Sequence, residues 1–237
     1  MNKHEVIVRL RRDLQAAMVE RQLAATDAAT ARARESLRRF QSARMSITHA
    51  DLLASNETRD AAQFFLDDLY GTHDFTQRDA DIERIIPMME SLMPISALQT
   101  IAEAIELDAL SEALDRAMAV RLGEQFVEAD YIDAYCKITS RTEREAQITH
   151  IQSVGGSLCE LVRIPLIGGT LAMMRVPAKL AGLGELHNFL DRGFGAFKKM
   201  RKPKDFVTAI VKRETTILEN LYTQKPQPFD LGDSQAT

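Results

Sequence analysis

Tryptophan is absent from the 237 residues, cysteine occurs only twice, and neither glycine nor proline appears before Gly71. Each scarcity excludes something. Two cysteines, Cys136 and Cys159, with no second pair, rule out a disulfide framework or a zinc knuckle and point to a reducing cytoplasm. With 11 glycines and 7 prolines the chain is poor in turn formers for a sheet-rich fold, and a hydrophobic share of 45% is high for a disordered one. The amino terminus leads straight into "VIVRLRRDL", whose charges break any signal-peptide core and argue against secretion. No apolar run of about twenty residues is uninterrupted, so no transmembrane span is expected.

Seventy residues without a helix breaker predict long helices. Val6, Leu10, Leu14 and Met18 recur every four positions while Arg9, Arg12, Asp13 and Glu20 fall off that stripe, the pattern of an amphipathic first helix. The alanine-rich stretch 24–34 has high helix propensity, and Leu37, Phe40 and Met45 resume the stripe after a break expected near Thr26 and Asp27. A third helix is expected from Ser55 and Asn56 to Tyr70, with Gly71 as its left-handed terminator. Thr76 and Asp79 resemble a capping pair ahead of Ile82, Ile85, Ile86 and Met89, with Pro87 expected to kink or split that helix. Pro94 opens the next, lined by Ile95, Leu98, Ile101, Ala102 and Ile105, and further helices are expected near 107–122, 127–139, 143–163, 184–200 and 204–223.

The apolar stretch 158–183 is cut by Glu160, Arg163, Arg175 and Lys179 and by Pro165, Gly168, Gly169 and Pro177. It reads as a buried, broken helix, with membrane-surface attachment as the alternative. The expectation is a single all-α, bundle-like domain of about seven to nine helices over residues 1–223, followed by a flexible tail, 224–237.

The net charge of −4 conceals a division. Residues 1–50 carry ten basic and five acidic side chains, residues 51–150 eight and twenty-one, and residues 151–237 twelve and eight. Either the basic ends pack against the acidic middle, or each end meets an anionic partner.

The octet "FFLDDLYG", residues 64–71, concentrates the anomalies. On an α-helical wheel Ala62, Phe65, Leu66 and Leu69 share a side, whereas Phe64 falls between Asp67 and Asp68 on the other, so Phe64 must be exposed, covered by a second layer or packed at a partner interface. The octet, with Asp74, Phe75, Arg78, Asp79 and Arg84 just after it and "FLDRGFGAFKKM" at 189–200, resembles a bacterial family called after a Phe-Phe-Leu-Glu-Glu-Leu-Tyr motif, aspartates standing here for both glutamates. That family is of unknown function, so the resemblance implies a helical bacterial protein and no catalytic residue.

Asp67, Asp68, Asp74, Asp79, Asp81 and Glu83 lie close together, but without the spacing of a calcium loop. The expected role is structural, with Arg78 or Arg84 bridging to Asp67 or Asp68 across the Gly71–Gln77 turn. No histidine stands three residues after a glutamate, which disfavours a carboxylate di-iron centre, and His187 in "GELHNFL" reads as a packing residue rather than a haem ligand. The "SVGGS" and "IGGT" pairs lack the lysine of a phosphate loop and read as points of close helix approach or bending. No metal or cofactor is predicted.

Three functional readings follow. The first is a non-enzymatic interaction or ligand-binding module using segment 64–84, with a protein partner or a homo-oligomer, in which Phe64 makes an apolar contact, Asp67 and Asp68 recruit a basic partner, and Arg78 with Asp79 holds the turn. A helical enzyme would instead use Asp67, Asp68 and Asp79, with Tyr70 as proton donor, in a pocket closed by 158–183. The third reading is attachment to anionic lipid or RNA through Lys198, Lys199, Arg201, Lys202 and Lys204.

Overall fold

The computed structural model describes residues 2–69 and 76–232, except the side chains of residues 67–69 and 76. Among these residues there are eleven α-helices and no strand: α1 (Lys3–Thr26), α2 (Ala28–Thr48), α3 (Ala50–Ala54), α4 (Arg59–Gln63), α5 (Thr76–Leu92), α6 (Ile95–Leu122), α7 (Glu128–Ile138), α8 (Arg141–Leu161), α9 (Pro165–Leu180), α10 (Gly184–Lys199) and α11 (Pro203–Tyr222). The fold is all-α, with more helices than the expected seven to nine. The break at Asp27 is present: its extended backbone leaves α1, and its carboxylate accepts hydrogen bonds from the Ala29 and Thr30 amides to start α2. Capping boxes Asn2/Glu5 and Ser140/Glu143 start α1 and α8 in the same way.

α5 runs through Pro87 as one helix, so of the kink or split expected there the split is absent, and the helices expected on either side of residue 106 are one 28-residue helix, α6. α6 is the spine of the molecule. Its inward stripe is Leu98, Ala102, Ile105, Asp108, Glu112, Asp115 and Ala119, apolar at both ends and charged in the middle. The first apolar end meets Val6, Ile7, Leu10 and Leu14 of α1 and Ile82, Ile86 and Met89 of α5. The second, with Met118, meets Ala33 and Leu37 of α2 and Tyr131 and Ala134 of α7. A third cluster, built on Ala61, Cys159, Phe197 and Phe206, joins α4, α8, α10 and α11.

α4 continues into a π-helical segment, Phe64–Leu69. There Phe64 is buried, 8% exposed, its ring 5.2 Å from that of Phe189 and against the backbone of Gly193 on α10. Phe65 packs on Phe197 and Phe206. Both rings are therefore internal, and the partner contact expected of Phe64 is corrected: α10 is the second layer that covers it.

Residues 224–232, expected to belong to a flexible tail, fold back instead. Phe229 packs against Phe40 and Tyr131, the Arg44 guanidinium lies over its ring, and Asn220 donates to the Pro228 carbonyl. Residues 233–237 lie outside the described residues.

Candidate functional site

The charged middle of α6 organises the interior. Glu112 accepts hydrogen bonds from three guanidinium groups, those of Arg21 on α1 and of Arg34 and Arg38 on α2. Asp108 accepts from Arg21 at 2.9 Å and from Arg78 at 2.8 Å, and Asp115 accepts from Gln41 and pairs with Arg38. Asp79 completes the layer from α5, held by Arg78 and Arg21. Four arginines thus meet four carboxylates between two apolar clusters, and the basic amino-terminal block packs against the acidic middle of the chain.

The charges act on one another. Burial by itself would lower the Arg21 pKa, but Asp108, Asp79 and Glu112 outweigh it and hold the guanidinium above its ordinary value. Burial would raise Asp108, yet Arg78 and Arg21 hold it below the usual carboxylate range. Asp79 goes the other way: burial dominates the two arginines and, with Asp108 beside it, raises its pKa. Its Oδ2 accepts no hydrogen bond among the described residues, although Arg21 stands 2.5 Å away. Raised carboxylates also mark catalytic sites, but this one faces fixed cations within a packed layer rather than a cleft.

A second charged group ties the first half of the chain to α11. Arg44 donates to both Glu214 oxygens at 2.6 and 2.8 Å, and His49 Nε2 stands 3.0 Å from the same carboxylate. Arg213 grips Asp51 with two hydrogen bonds, at 2.7 and 2.8 Å. Burial would raise Glu214, but Arg44 and His49 overcome it and bring its pKa down to about 2.

The residues singled out in the sequence are dispersed. Asp79 and Arg78 belong to the buried layer, so the place of Asp79 on an exposed acidic surface is replaced by pairing between α1, α5 and α6, while the Thr76 side chain of its expected capping pair lies outside the described residues. Arg84 pairs with Asp81 and donates to the Ala181 carbonyl, beyond the end of α9. The side chains of Asp67 and Asp68, all of Tyr70, and the turn that Arg78 or Arg84 was expected to fix lie outside the described residues. His187 is buried and donates from Nε2 to the Leu171 carbonyl at 2.8 Å, fastening α10 to α9. Cys159 lies in the core, while the half-buried Cys136 touches the Leu221 carbonyl, and burial raises both thiols. No group of three or more metal-ligating side chains occurs among the described residues.

The basic segment is largely answered from within the chain. Lys199 pairs with Asp60, Arg201 with Glu57, Lys202 with Asp205 and Lys204 with Glu160. Glu57 also accepts the Arg201 and Lys202 amides, and those bonds lower its pKa. Lys198 differs: it makes no ion pair among the described residues, and its Nζ lies over the Phe194 ring beside Gly168 of α9.

α9 is not the buried helix expected. Ala178 is its one buried residue, and its chief neighbour is α10, which approaches closely because Gly168 leaves room for Phe194. On the outer side, Leu166 is 75% exposed, Met173 73%, Val176 65% and Leu180 84%. With Gly169 these residues follow at spacings of three, four, three and four, a continuous apolar stripe. Arg175 and Lys179 lie along the flank on which Gly168 and Lys198 meet. The α8–α9 pair bends by 88°, and no single helix among the described residues is long and apolar enough to cross a membrane.

A family model described as a domain of unknown function (DUF8198) matches residues 20–228. The chain belongs to this family. No curated protein and no solved structure matches it. The matched span of the DUF8198 domain runs from the last turns of α1 to Pro228, taking in the whole charged layer as well as α9. The α6 carboxylates escaped the sequence reading because their cations lie about ninety residues away for Arg21 and about seventy-five for Arg34 and Arg38. The signal available was their spacing, Asp108, Glu112 and Asp115 on one side of an unbroken helix.

Proposed function

We propose that this DUF8198 protein is a non-enzymatic binding module whose working surface is the outward face of α9. The reading keeps the expected class of function and moves its surface from segment 64–84. What carries it is the apolar stripe from Leu166 to Leu180, uncovered along a whole helix and 65% or more exposed at each large side chain, whereas the other exposed apolar groups are shorter or less exposed, such as Val19 and Leu23 on α1 or Met88 and Leu92 on α5. Segment 64–84 supports the role poorly, since Phe64 is internal and Asp79 is enclosed by Arg21, Arg78 and Asp108. The same enclosure weakens the carboxylate-enzyme reading. In this account the protein is bacterial, as its likeness to the Phe-Phe-Leu-Glu-Glu-Leu-Tyr proteins implies, and cytoplasmic, as its two cysteines suggest, and works without a cofactor.

Cysteine footprinting in living cells tests the reading. In a Cys136→Ala background, Val176→Cys and, as a control on α2, Ile47→Cys are labelled with a permeant maleimide in cells and after purification. The expected result is protection of position 176 in cells only, with position 47 labelled equally in both. Equal labelling of position 176 in both settings would show a surface that nothing covers, and would end the proposal.

A further inference from the structure

Given α9 as the working face, the occupant must suit both its shape and its charge. The helix is 16 residues, about 24 Å, long enough to lie along a surface and too short to cross a bilayer. Its apolar stripe runs its full length on one side, and the other side is fastened to α10 by the Gly168–Phe194 contact and the His187 hydrogen bond. The stripe is therefore held outward on a rigid support.

Charge narrows the choice. Between Glu160 and Glu185 the chain carries Arg163, Arg175 and Lys179 and no acidic residue. Lys198 joins the same flank from α10. Among the described residues the nearby carboxylates are few: Asp191 pairs with Arg175 at the surface, Glu160 is taken by Lys204, Asp81 pairs with Arg84, and Glu185 begins α10. An exposed pair such as Arg175–Asp191 is weak and readily exchanged. A second copy docking stripe to stripe would bring two sets of cations together, which the geometry opposes. RNA would engage the cations and leave the apolar stripe in water.

We propose that the occupant is an anionic bilayer surface. Leu166, Met173, Val176 and Leu180 enter the outer acyl region, while Arg175, Lys179 and Lys198 extend their stems along it and place their charges among the headgroups. The cations of segment 199–204 sit in exposed pairs as exchangeable as Arg175–Asp191 and add to the attraction, but the apolar anchor moves the attachment expected of that segment to α9.

The absence of tryptophan supplies the assay. Leu180→Trp, and Val120→Trp as a control on α6, each give the full-length protein a single indole reporter. They are mixed with vesicles of phosphatidylcholine alone, or with phosphatidylglycerol added, each with and without brominated chains. The expected result is a blue shift and bromine quenching for the α9 reporter on phosphatidylglycerol vesicles alone, weakened by salt, with no change in the control. In a Met173→Asp background the reporter should bind about tenfold or more weakly, because a carboxylate must enter the acyl boundary. Arg175→Glu with Lys179→Glu should abolish the preference for anionic vesicles, and tests the flank separately should Met173→Asp fail to fold.

No quenching on anionic vesicles would overturn the bilayer as occupant. So would a dimer dispersed by Met173→Asp, or RNA binding indifferent to that substitution, if either came without vesicle binding. In those cases protection of position 176 in cells keeps the α9 surface and changes only its partner, whereas loss of both results removes the surface reading itself.

Discussion

Replacing Glu112 with Gln should destabilise the protein more than any change at its surface. The side chain is 2% exposed and lies between the guanidiniums of Arg21, Arg34 and Arg38. Glutamine keeps the shape, but its amide presents N–H groups where a guanidinium needs an acceptor, and it leaves four arginines facing Asp79, Asp108 and Asp115. Removing one partner of a buried ionic group costs about 3–5 kcal/mol, because the remaining charges stay desolvated and unanswered. For a chain of this size that corresponds to a fall in melting temperature of about 10 °C. Urea unfolding followed by circular dichroism at neutral pH should show a lower midpoint with an unchanged slope. Arg34 is the cation most easily dispensed with, since burial and the neighbouring Arg38 already lower its pKa. Arg34→Met should therefore recover part of the loss in the double variant, by about 1 kcal/mol or more relative to additivity. A loss below about 1 kcal/mol for Glu112→Gln, or strict additivity with Arg34→Met, would refute the claim that the layer acts as one unit.

Two further outcomes follow from burial and pairing. Phe64→Ala should cost about 3–5 kcal/mol, since it empties the space against Phe189 and Gly193, and a loss below about 1 kcal/mol in the same urea assay would return Phe64 to the surface. Glu214, with a pKa of about 2 in the fold against an ordinary 4.5, contributes stability that is complete above pH 4.5 and is lost as pH falls towards 2. Its share is about 3 kcal/mol, so Glu214→Gln should remove that part of the acid limb from a stability–pH curve, and an unchanged limb would contradict the pairing with Arg44 and His49.

Much of this architecture can be read locally. The Val6, Leu10 and Leu14 stripe, the break at Asp27 and the glycine pairs behave as their chemistry suggests. In each pair the first glycine faces a packed neighbour, Gly155 against Val207 and Gly168 against Phe194, and the second faces open space. The failures have definite causes. A helical wheel separates Phe64 from Phe65, and the two do pack on different neighbours, but a wheel cannot show that α10 lies over the Phe64 side and makes it internal. α6 looked like two helices because Asp108, Glu112 and Asp115 interrupt its apolar pattern, and the arginines that make those positions internal come from α1 and α2. α9 looked buried because its composition is apolar, but composition does not say whether a helix has neighbours on one side or all round. Of the candidate site, the cations of 198–204 were visible, while the carboxylates that answer four of them come from Glu57, Asp60, Glu160 and Asp205.

The charged layer has a consequence for how the helices find their places. Leucine and alanine positions along α6 are similar enough that α1 and α2 could slide by one turn, about 5.4 Å, and still bury apolar surface. Such a slide would carry Arg21, Arg34 and Arg38 away from Glu112 and leave both sets of charges in an apolar seam. The layer therefore works as a detent, allowing one longitudinal setting of the three helices and penalising its neighbours. An all-apolar replacement of the layer should then yield a chain that is no less stable but less particular about which setting it adopts.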